Sequence, residues 1–253
     1  MTKICLFNHI TKQVIDYLVT DSIAPQETSI NESIANLYRK NRITKENVAN
    51  IVTTGYGKKN YTHATISFSE IICHALGVSF FYPIIKTVID IGGQDTKIIK
   101  LLTNGRVNDF YMNDKCAAGT GRFLERVAEL LHIPLQELGE YATRAELSLD
   151  ISSTCAVFIE SEIINLLSLG EKKVNIIRSV NLSLVHSIMG MMSKVGLEYP
   201  VAFVGGVAKN QGVITALEEY LETKVHVPEH PEITGAIGAA ILGGLYKSNE
   251  QQK

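Results

Sequence analysis

The sequence predicts an α/β fold, because short apolar strand segments alternate with segments whose apolar residues recur at helical spacing. The clearest strands start at Thr87, where TVIDI, TKIIKLL and VNDFYM are separated by the turn sequences GGQD and NGR. Helical spacing follows in residues 122–131, 155–169 and 174–196. The apolar strand VAFV then runs into a second pair of glycines, and a helix is predicted for residues 211–223. KVHVP predicts a last strand, and TGAIGAAILGGLY a small-residue helix suited to close packing.

The N-terminal part shows a shorter version of the same pattern. Residues 4–7 and 14–19 predict a strand pair around a polar turn, and residues 32–40, 51–53 and 69–76 predict a helix, a short strand and another amphipathic stretch. We therefore expect a first domain over residues 1–86 and a second over 87–246, followed by a polar tail, 247–253. The small-residue helix near the C-terminus is a candidate to complete the first domain.

Composition and charge exclude several classes of protein. A chain of 253 residues and 27.9 kDa can bury a core without disulfide or metal staples. With 24 basic against 26 acidic side chains, it offers no basic field to nucleic acid or anionic lipid. No apolar run reaches the roughly 18 residues of a membrane span, the N-terminus is not a signal peptide, and the four cysteines show no disulfide framework. We expect a cytoplasmic protein without nucleic-acid or membrane partners.

The first chemical motif is DIGGQDTK, residues 90–97, which places Gly92 and Gly93 between two strands. Glycines let backbone N–H groups approach an anion with no Cβ in the way. Asp90 ends one predicted strand and Asp95 precedes the next, so both carboxylates can face a phosphate-bound Mg²⁺, directly or through water. An ordinary glycine hairpin explains the same residues equally well.

The second motif is FVGGVAKN, residues 203–210, in which a buried strand stops at Gly205 and Gly206. Ligands in α/β folds commonly bind at the carboxyl ends of strands, where such glycines leave a surface free of side chains. A plain strand–helix turn is the alternative. Two glycine pairs after two buried strands favour a nucleotide site.

The third feature is a pair of cysteines, Cys116 and Cys155, each at or just before the start of a predicted amphipathic helix. Helix N-termini stabilise negative charge and lower thiol pKa values. Two thiols alone cannot complete a tetrahedral zinc or four-iron site, although two copies of the chain around a twofold axis would supply four. Two buried structural thiols remain the alternative. Glu160 and Glu162 follow Cys155 in the first turns of its helix, where negative charge is favourable, and Glu162 is a candidate contact on the nucleotide side.

Together the segments DIGGQDTK, NDKCAAGTGRFLE, SSTCAVFIESE and FVGGVAKN resemble the activator ATPases of 2-hydroxyacyl-CoA dehydratases and the related benzoyl-CoA reductase subunits. That group belongs to the superfamily of actin, sugar kinases and heat-shock chaperone ATPases, and the resemblance runs from about Ile4 to Tyr246. It implies two ribonuclease-H-like domains with ATP and Mg²⁺ in the cleft between them. It also implies a homodimer that holds one 4Fe–4S cluster on Cys116 and Cys155 of each copy. Such activators take an electron from ferredoxin or flavodoxin and drive it, with ATP hydrolysis, into a partner dehydratase or reductase.

The resemblance also implies roles for individual residues. We take Asp90, Gln94 and Asp95 as the catalytic candidates. The candidate nucleotide contacts come from the second phosphate loop, the adenosine loop and the two ends of the chain: Thr2, Lys3, Gly92, Gly93, Gln94, Thr96, Lys97, Gly205, Gly206, Val207, Asn210 and Gly235.

One departure from the family concerns the N-terminus. The family begins with a strand and a first phosphate loop, roughly GIDxGSTxxK, of which only Thr2 and Lys3 remain here. We expect the true start to lie upstream of Met1; if Met1 is genuine, ATPase activity should be weak or absent. One alternative function is a small-molecule kinase of the superfamily without a cluster. The other is a non-catalytic nucleotide-binding or scaffold subunit, which a genuine absence of the first loop would favour.

Overall fold

The computed structural model, which describes residues 1–22, 26–151 and 156–246, divides into two units. Unit 1 comprises Met1–Pro83, Thr103–Val107 and the chain from Glu232 onward. Unit 2 comprises Ile84–Leu102 and Asn108–Pro231. No helix of the described ranges combines the length and the apolar character that crossing a membrane requires.

The regular elements follow the alternation that the sequence predicts. The strands are β1 (Thr2–Asn8), β2 (Gln13–Thr20), β3 (Val52–Thr53), β4 (Ile66–Ser67), β5 (Thr87–Ile91), β6 (Thr96–Leu101), β7 (Val107–Asn113) and β8 (Val201–Val204). The helices are α1 (Gln26–Asn41), α2 (Glu70–Phe81), α3 (Gly121–Leu131), α4 (Leu138–Thr143), α5 (Ala156–Ser168), α6 (Lys173–Val195), α7 (Gln211–Leu221) and α8 (Thr234–Leu245).

Unit 2 is built on a sheet with the strand order β7-β6-β5-β8. The central strand β5 pairs antiparallel with β6 and parallel with β8, and all five of its residues are buried. Its apolar core is shared with the helices: Phe123 of α3, Ile159 of α5, Ile177 of α6 and Val213 of α7 are all at most 2 % exposed. The sheet therefore holds the residues that follow β5 and β8 on a rigid support.

The prediction of a regular strand over KVHVP is wrong. It is reduced to one parallel bridge between His226 and Ala202, with His226 donating its N–H to Val201 and accepting from Phe203. Pro228 has no N–H to extend the ladder, which accounts for the early stop.

Unit 1 contains the same two kinds of strand pair as unit 2, but in separate sheets. The hairpin β1-β2 is antiparallel and the short pair β3-β4 is parallel. Among the described residues, no strand joins the two pairs in the way that β5 joins β6 to β8. Most residues of β1 are only half-buried, whereas its counterpart β6 is almost wholly buried. The two-strand start expected from the sequence is therefore what unit 1 shows.

Glycines let α2 and α8 pack backbone against backbone in unit 1. A Cβ on Gly238 would lie 1.7 Å from the carbonyl oxygen of Cys73, and one on Gly77 would lie 1.9 Å from that of Thr234. No side chain fits at either position. The small-residue pattern of the C-terminal helix thus serves close helix packing, as the sequence predicts.

Candidate nucleotide site and cysteine loop

The turn between β5 and β6 in unit 2 exposes backbone N–H groups to solvent. Gly92 donates its N–H to the carbonyl oxygen of Asp95 at 2.9 Å and so closes the turn. Gly93 and Gln94 are exposed, and an added Cβ on Gly93 would meet nothing within 4 Å. Within the described residues, neither of these two donates its N–H to a protein acceptor. Two free donors at an exposed glycine turn suit an anion such as a phosphate.

A buried ion triple supports this turn from the inside. The Lys97 ammonium lies 2.8 Å from Asp95 Oδ1 and 3.2 Å from Asp90 Oδ2. All three side chains are less than 10 % exposed. Since both carboxylates already face one cation, they suit a hydrated Mg²⁺ bound through water better than a directly coordinated metal. Lys97 neutralises part of their charge and holds the two ends of the turn together.

The second glycine pair lies directly against the first loop. Gly205 has a φ of +88°, and a Cβ there would lie 2.6 Å from Asp90 Oδ1 and 2.3 Å from the carbonyl oxygen of Ile91. Only glycine satisfies both restrictions. Gly206, the next residue, is exposed with open space beside it. The carboxyl ends of parallel strands β5 and β8 thus bring the two predicted nucleotide loops together.

The remaining residues of the second loop face the protein. Val207 is buried, and Asn210 caps α7 by accepting a hydrogen bond from the N–H of Val213 at 3.1 Å. Thr96 is also buried, and its hydroxyl donates to the carbonyl oxygen of Gly119. These side chains shape the loops rather than line their exposed surface.

Three of the predicted nucleotide contacts lie in unit 1. Thr2 and Lys3 belong to β1, where they pair with Thr20 and Val19 of β2. Gly235 lies in α8, where an added Cβ would come within 2.9 Å of the His74 ring.

Cys116 is an exposed residue in the loop between β7 and α3. Asn113, the last residue of β7, holds the loop from one side: its amide donates to the carbonyl oxygen of Cys116 at 3.0 Å and accepts from the Cys116 N–H at 3.3 Å. Sequence reasoning missed Asn113, although asparagine side chains commonly hydrogen-bond the backbone of the turn that follows them.

The cysteine loop is hydrogen-bonded to the phosphate-type turn. The first two N–H groups of α3, from Gly121 and Arg122, donate to the carbonyl oxygens of Gly92 and Gly93 at 2.8 and 2.9 Å. The Thr96 hydroxyl adds its bond to Gly119. The donors that a helix start leaves unpaired are thereby used to fix α3 to the glycine turn. This link was not predicted from the sequence, because nothing in the motif spacing shows which loops meet.

Cys155 lies outside the described residues; α5 begins at the next residue, Ala156. Cys5 and Cys73 are less accessible than Cys116, which is exposed. Burial raises the pKa of the Cys5 thiol to about 12 and also raises the pKa of Cys73, so both stay protonated at neutral pH. Iron–sulfur clusters are held by soft thiolate ligands, and the exposed Cys116 is accessible to one. Among the described residues, no three His, Cys, Asp or Glu side chains converge into a complete metal site.

Comparison with known proteins identifies close relatives. The chain is 48% identical over 199 residues to the activator of lactoyl-CoA dehydratase of Anaerotignum propionicum, covering 79% of this chain and 77% of that protein. The structure of the activator of the 2-hydroxyisocaproyl-CoA dehydratase from Clostridium difficile, with bound ADPNP, superimposes with a TM-score of 0.90 at 37% identity, covering 97% and 91% of the two chains. The structure of component A of the (R)-2-hydroxyglutaryl-CoA dehydratase of Acidaminococcus fermentans has a TM-score of 0.92 at 37% identity, covering 96% of this chain and 93% of that chain.

These similarities confirm the predicted α/β class with the actin-like ATPase fold. The predicted resemblance to the dehydratase activators is confirmed as well. The family description of the BadF/BadG/BcrA/BcrD ATPases matches residues 2–243, nearly the whole chain. On the strength of that match and of the shared fold, this chain belongs to the BadF/BadG/BcrA/BcrD ATPase family.

Proposed function

We propose that this chain is an ATP-dependent activator that passes one electron to a 2-hydroxyacyl-CoA dehydratase or a related reductase. In this proposal two copies form a homodimer around one 4Fe–4S cluster, ferredoxin or flavodoxin supplies the electron, and the protein acts in the cytoplasm. Family membership and relatives named as dehydratase activators support the proposal.

The observation that carries the proposal is the hydrogen-bonded link between the glycine turn and the cysteine loop. The carbonyl groups of Gly92 and Gly93 hold the start of α3, and Cys116 lies five residues before that start. A phosphate bound to one side of the turn therefore acts on a peptide unit whose other side holds α3. Binding and loss of a phosphate can in this way move the start of α3 and the loop that carries the Cys116 thiol.

The nucleotide roles follow from exposure. The N–H groups of Gly93 and Gln94 bind phosphate oxygens, and the open surface at Gly206, next to the buried Gly205, accepts the adenosine. Lys97 keeps Asp90 and Asp95 in place to hold a hydrated Mg²⁺. The exposed Gln94 side chain is then the group free to orient an attacking water.

The cluster would be held by Cys116 and Cys155 of each copy. When bound, such a cluster supplies one-electron chemistry whose potential depends on hydrogen bonds, charge and exposure around the sulfurs. The chain itself keeps Cys116 at the surface and fixes its backbone through Asn113.

Anaerobic purification tests the proposal. We expect a brown protein with about two irons and two sulfides per chain, half of a four-iron cluster. Cys116→Ser should lose the colour and most of the iron, because both copies lose a ligand and only two of the four thiolates remain. Iron analysis and the visible absorption spectrum provide the measurement.

Cys5→Ser is the matched control, since Cys5 is a half-buried residue of β1 in unit 1. It should keep the iron of the wild-type protein. Colourless wild-type protein that binds nucleotide would contradict the proposal. Phosphoryl transfer to a small molecule by that protein would indicate a kinase, and its absence would indicate a nucleotide-binding subunit.

A further inference from the structure

The two helices that follow the candidate cluster cysteines are joined by a side-chain bridge. Arg126 of α3 faces Glu160 of α5: its Nη2 lies 2.9 and 3.0 Å from the two carboxylate oxygens, and its Nε lies 3.3 Å from one of them. The same guanidinium reaches Glu129 of its own helix at 3.0 Å. Arg126 is the sixth residue of α3, and Glu160 is the fifth residue of α5.

This bridge adds a directional contact between α3 and α5 to the apolar packing beneath it. Phe123 and Val127 of α3 share one buried cluster with Ile159 and Ile163 of α5, and this close apolar packing is not directional in the way that a hydrogen bond is. A planar guanidinium that meets both oxygens of a carboxylate accepts only a narrow range of relative orientations. The bridge therefore fixes how the first turns of the two helices cross.

Its contribution to overall stability is small. The Arg126 side chain is 48 % exposed and that of Glu160 is 36 % exposed, so water screens the attraction. A bridge at this place has a larger effect on geometry than on folding. The geometry that it controls is that of two helix starts, one five residues after Cys116 and the other directly after Cys155.

We propose that Arg126 and Glu160 are a positioning pair that sets the relative orientation of the starts of α3 and α5, the helices that follow Cys116 and Cys155, and through it the fit of one chain's two thiolates to the cluster. This inference rests on the proposed function. It differs from the coupling through Gly92 and Gly93, because the bridge links α3 to α5 rather than to the nucleotide turn.

The test uses full-length protein purified anaerobically with its cluster, in the variants Arg126→Gln, Glu160→Gln, their double variant and Arg126→Lys. The rate at which an iron chelator removes iron from each variant is measured together with the electron paramagnetic resonance spectrum and the midpoint potential of the cluster. We expect both single variants to release iron about twofold to fivefold faster, which is the size of effect that an exposed ion pair can have, with a shifted spectrum. The double variant should match the singles, since either substitution breaks the same bridge. Arg126→Lys should lie between them and the wild type, because an ammonium keeps the charge but not the fork.

Arg178→Gln is the matched control. Arg178 of α6 bridges to Glu219 of α7 with contacts of 3.0 and 3.4 Å, the same kind of exposed interhelical pair in the same unit. Its loss should leave iron release, spectrum and potential unchanged.

Two results would overturn the inference, and they are distinguishable. If the wild-type protein holds no iron, the proposed function fails and the positioning role fails with it. If the wild-type protein holds its cluster but Arg126→Gln and Glu160→Gln release iron as slowly as Arg178→Gln with unchanged spectra, only the positioning role is refuted.

Discussion

Lys97 shows how a residue inside a binding motif can serve it without facing the ligand. The resemblance to the activator ATPases makes this lysine a candidate nucleotide contact, but its ammonium is buried between Asp90 and Asp95. Burial of a cation is costly unless opposite charges surround it, and here two carboxylates do so. The sequence predicted the residue but not its burial, because β6 is buried on both faces and the lysine has no outward face to occupy.

Replacing this buried cation should be strongly destabilising. Lys97→Met leaves two buried carboxylates without their partner, and we expect a loss of about 3–5 kcal/mol in the free energy of unfolding. Adding Asp95→Asn should recover part of the loss, because one of the two unpaired charges is then gone. Urea denaturation at pH 7 measures both effects.

Lys100→Met provides the comparison on the same strand. Lys100 pairs with Glu198 at 2.7 Å, but the Glu198 side chain is 49 % exposed and water can replace the lost partner. Its substitution should cost much less than that of Lys97. Equal losses for the two lysines would show that the buried triple contributes no more than a surface pair.

At the scale of elements, periodicity predicted most helices and strands but not all their limits. The predicted helix over 32–40 begins earlier, at Gln26, and the amphipathic stretch over 69–76 forms a helix that continues to Phe81. The six-residue helix α4 and the two-residue strand β4 were not predicted, because segments this short carry too few residues to show a period. Contacts between loops, such as Gly121 to Gly92, depend on the sheet order and could not be predicted from spacing.

The crossing of α2 and α8 allows a prediction on element packing. Gly238→Ala places a methyl group 1.7 Å from the carbonyl oxygen of Cys73, so one helix must move away from the other. We expect a loss of roughly 3 kcal/mol or more in the free energy of unfolding, at the upper end for overpacked cores. Thermal and urea unfolding of the variant provide the measurement.

Gly190→Ala is the control, since Gly190 also lies inside a helix, α6, but has open space beside it. Alanine there should raise stability by about 0.5–1 kcal/mol, because it favours the helix more than glycine does. If both alanine variants were stabilised, the two helices of unit 1 would not be in the close contact that their glycines indicate.

At the scale of the whole molecule, both units contain one antiparallel and one parallel strand pair, but they differ in whether the two pairs are joined. Unit 2 joins its antiparallel and parallel pairs through β5, and the candidate phosphate turn follows that central strand. In the described part of unit 1 the two pairs stay separate. The candidate phosphate turn therefore lies in unit 2, where the sequence carries the full motif at residues 90–97.

The assembly prediction concerns the number of chains around the iron. One chain carries two candidate cluster thiols, Cys116 and Cys155, while a four-iron cluster takes four, so a bound cluster should hold two copies together. We expect the iron-loaded protein to sediment at twice the 27.9 kDa of the chain, and iron removal by a chelator to weaken the association. Analytical ultracentrifugation under anaerobic conditions, before and after chelation, measures both states. Cys116→Ser should resemble the chelated protein, whereas Cys5→Ser should resemble the loaded one. An iron-loaded species with the mass of a single chain would contradict the shared site, because two thiols would then have to hold the metal without a second copy.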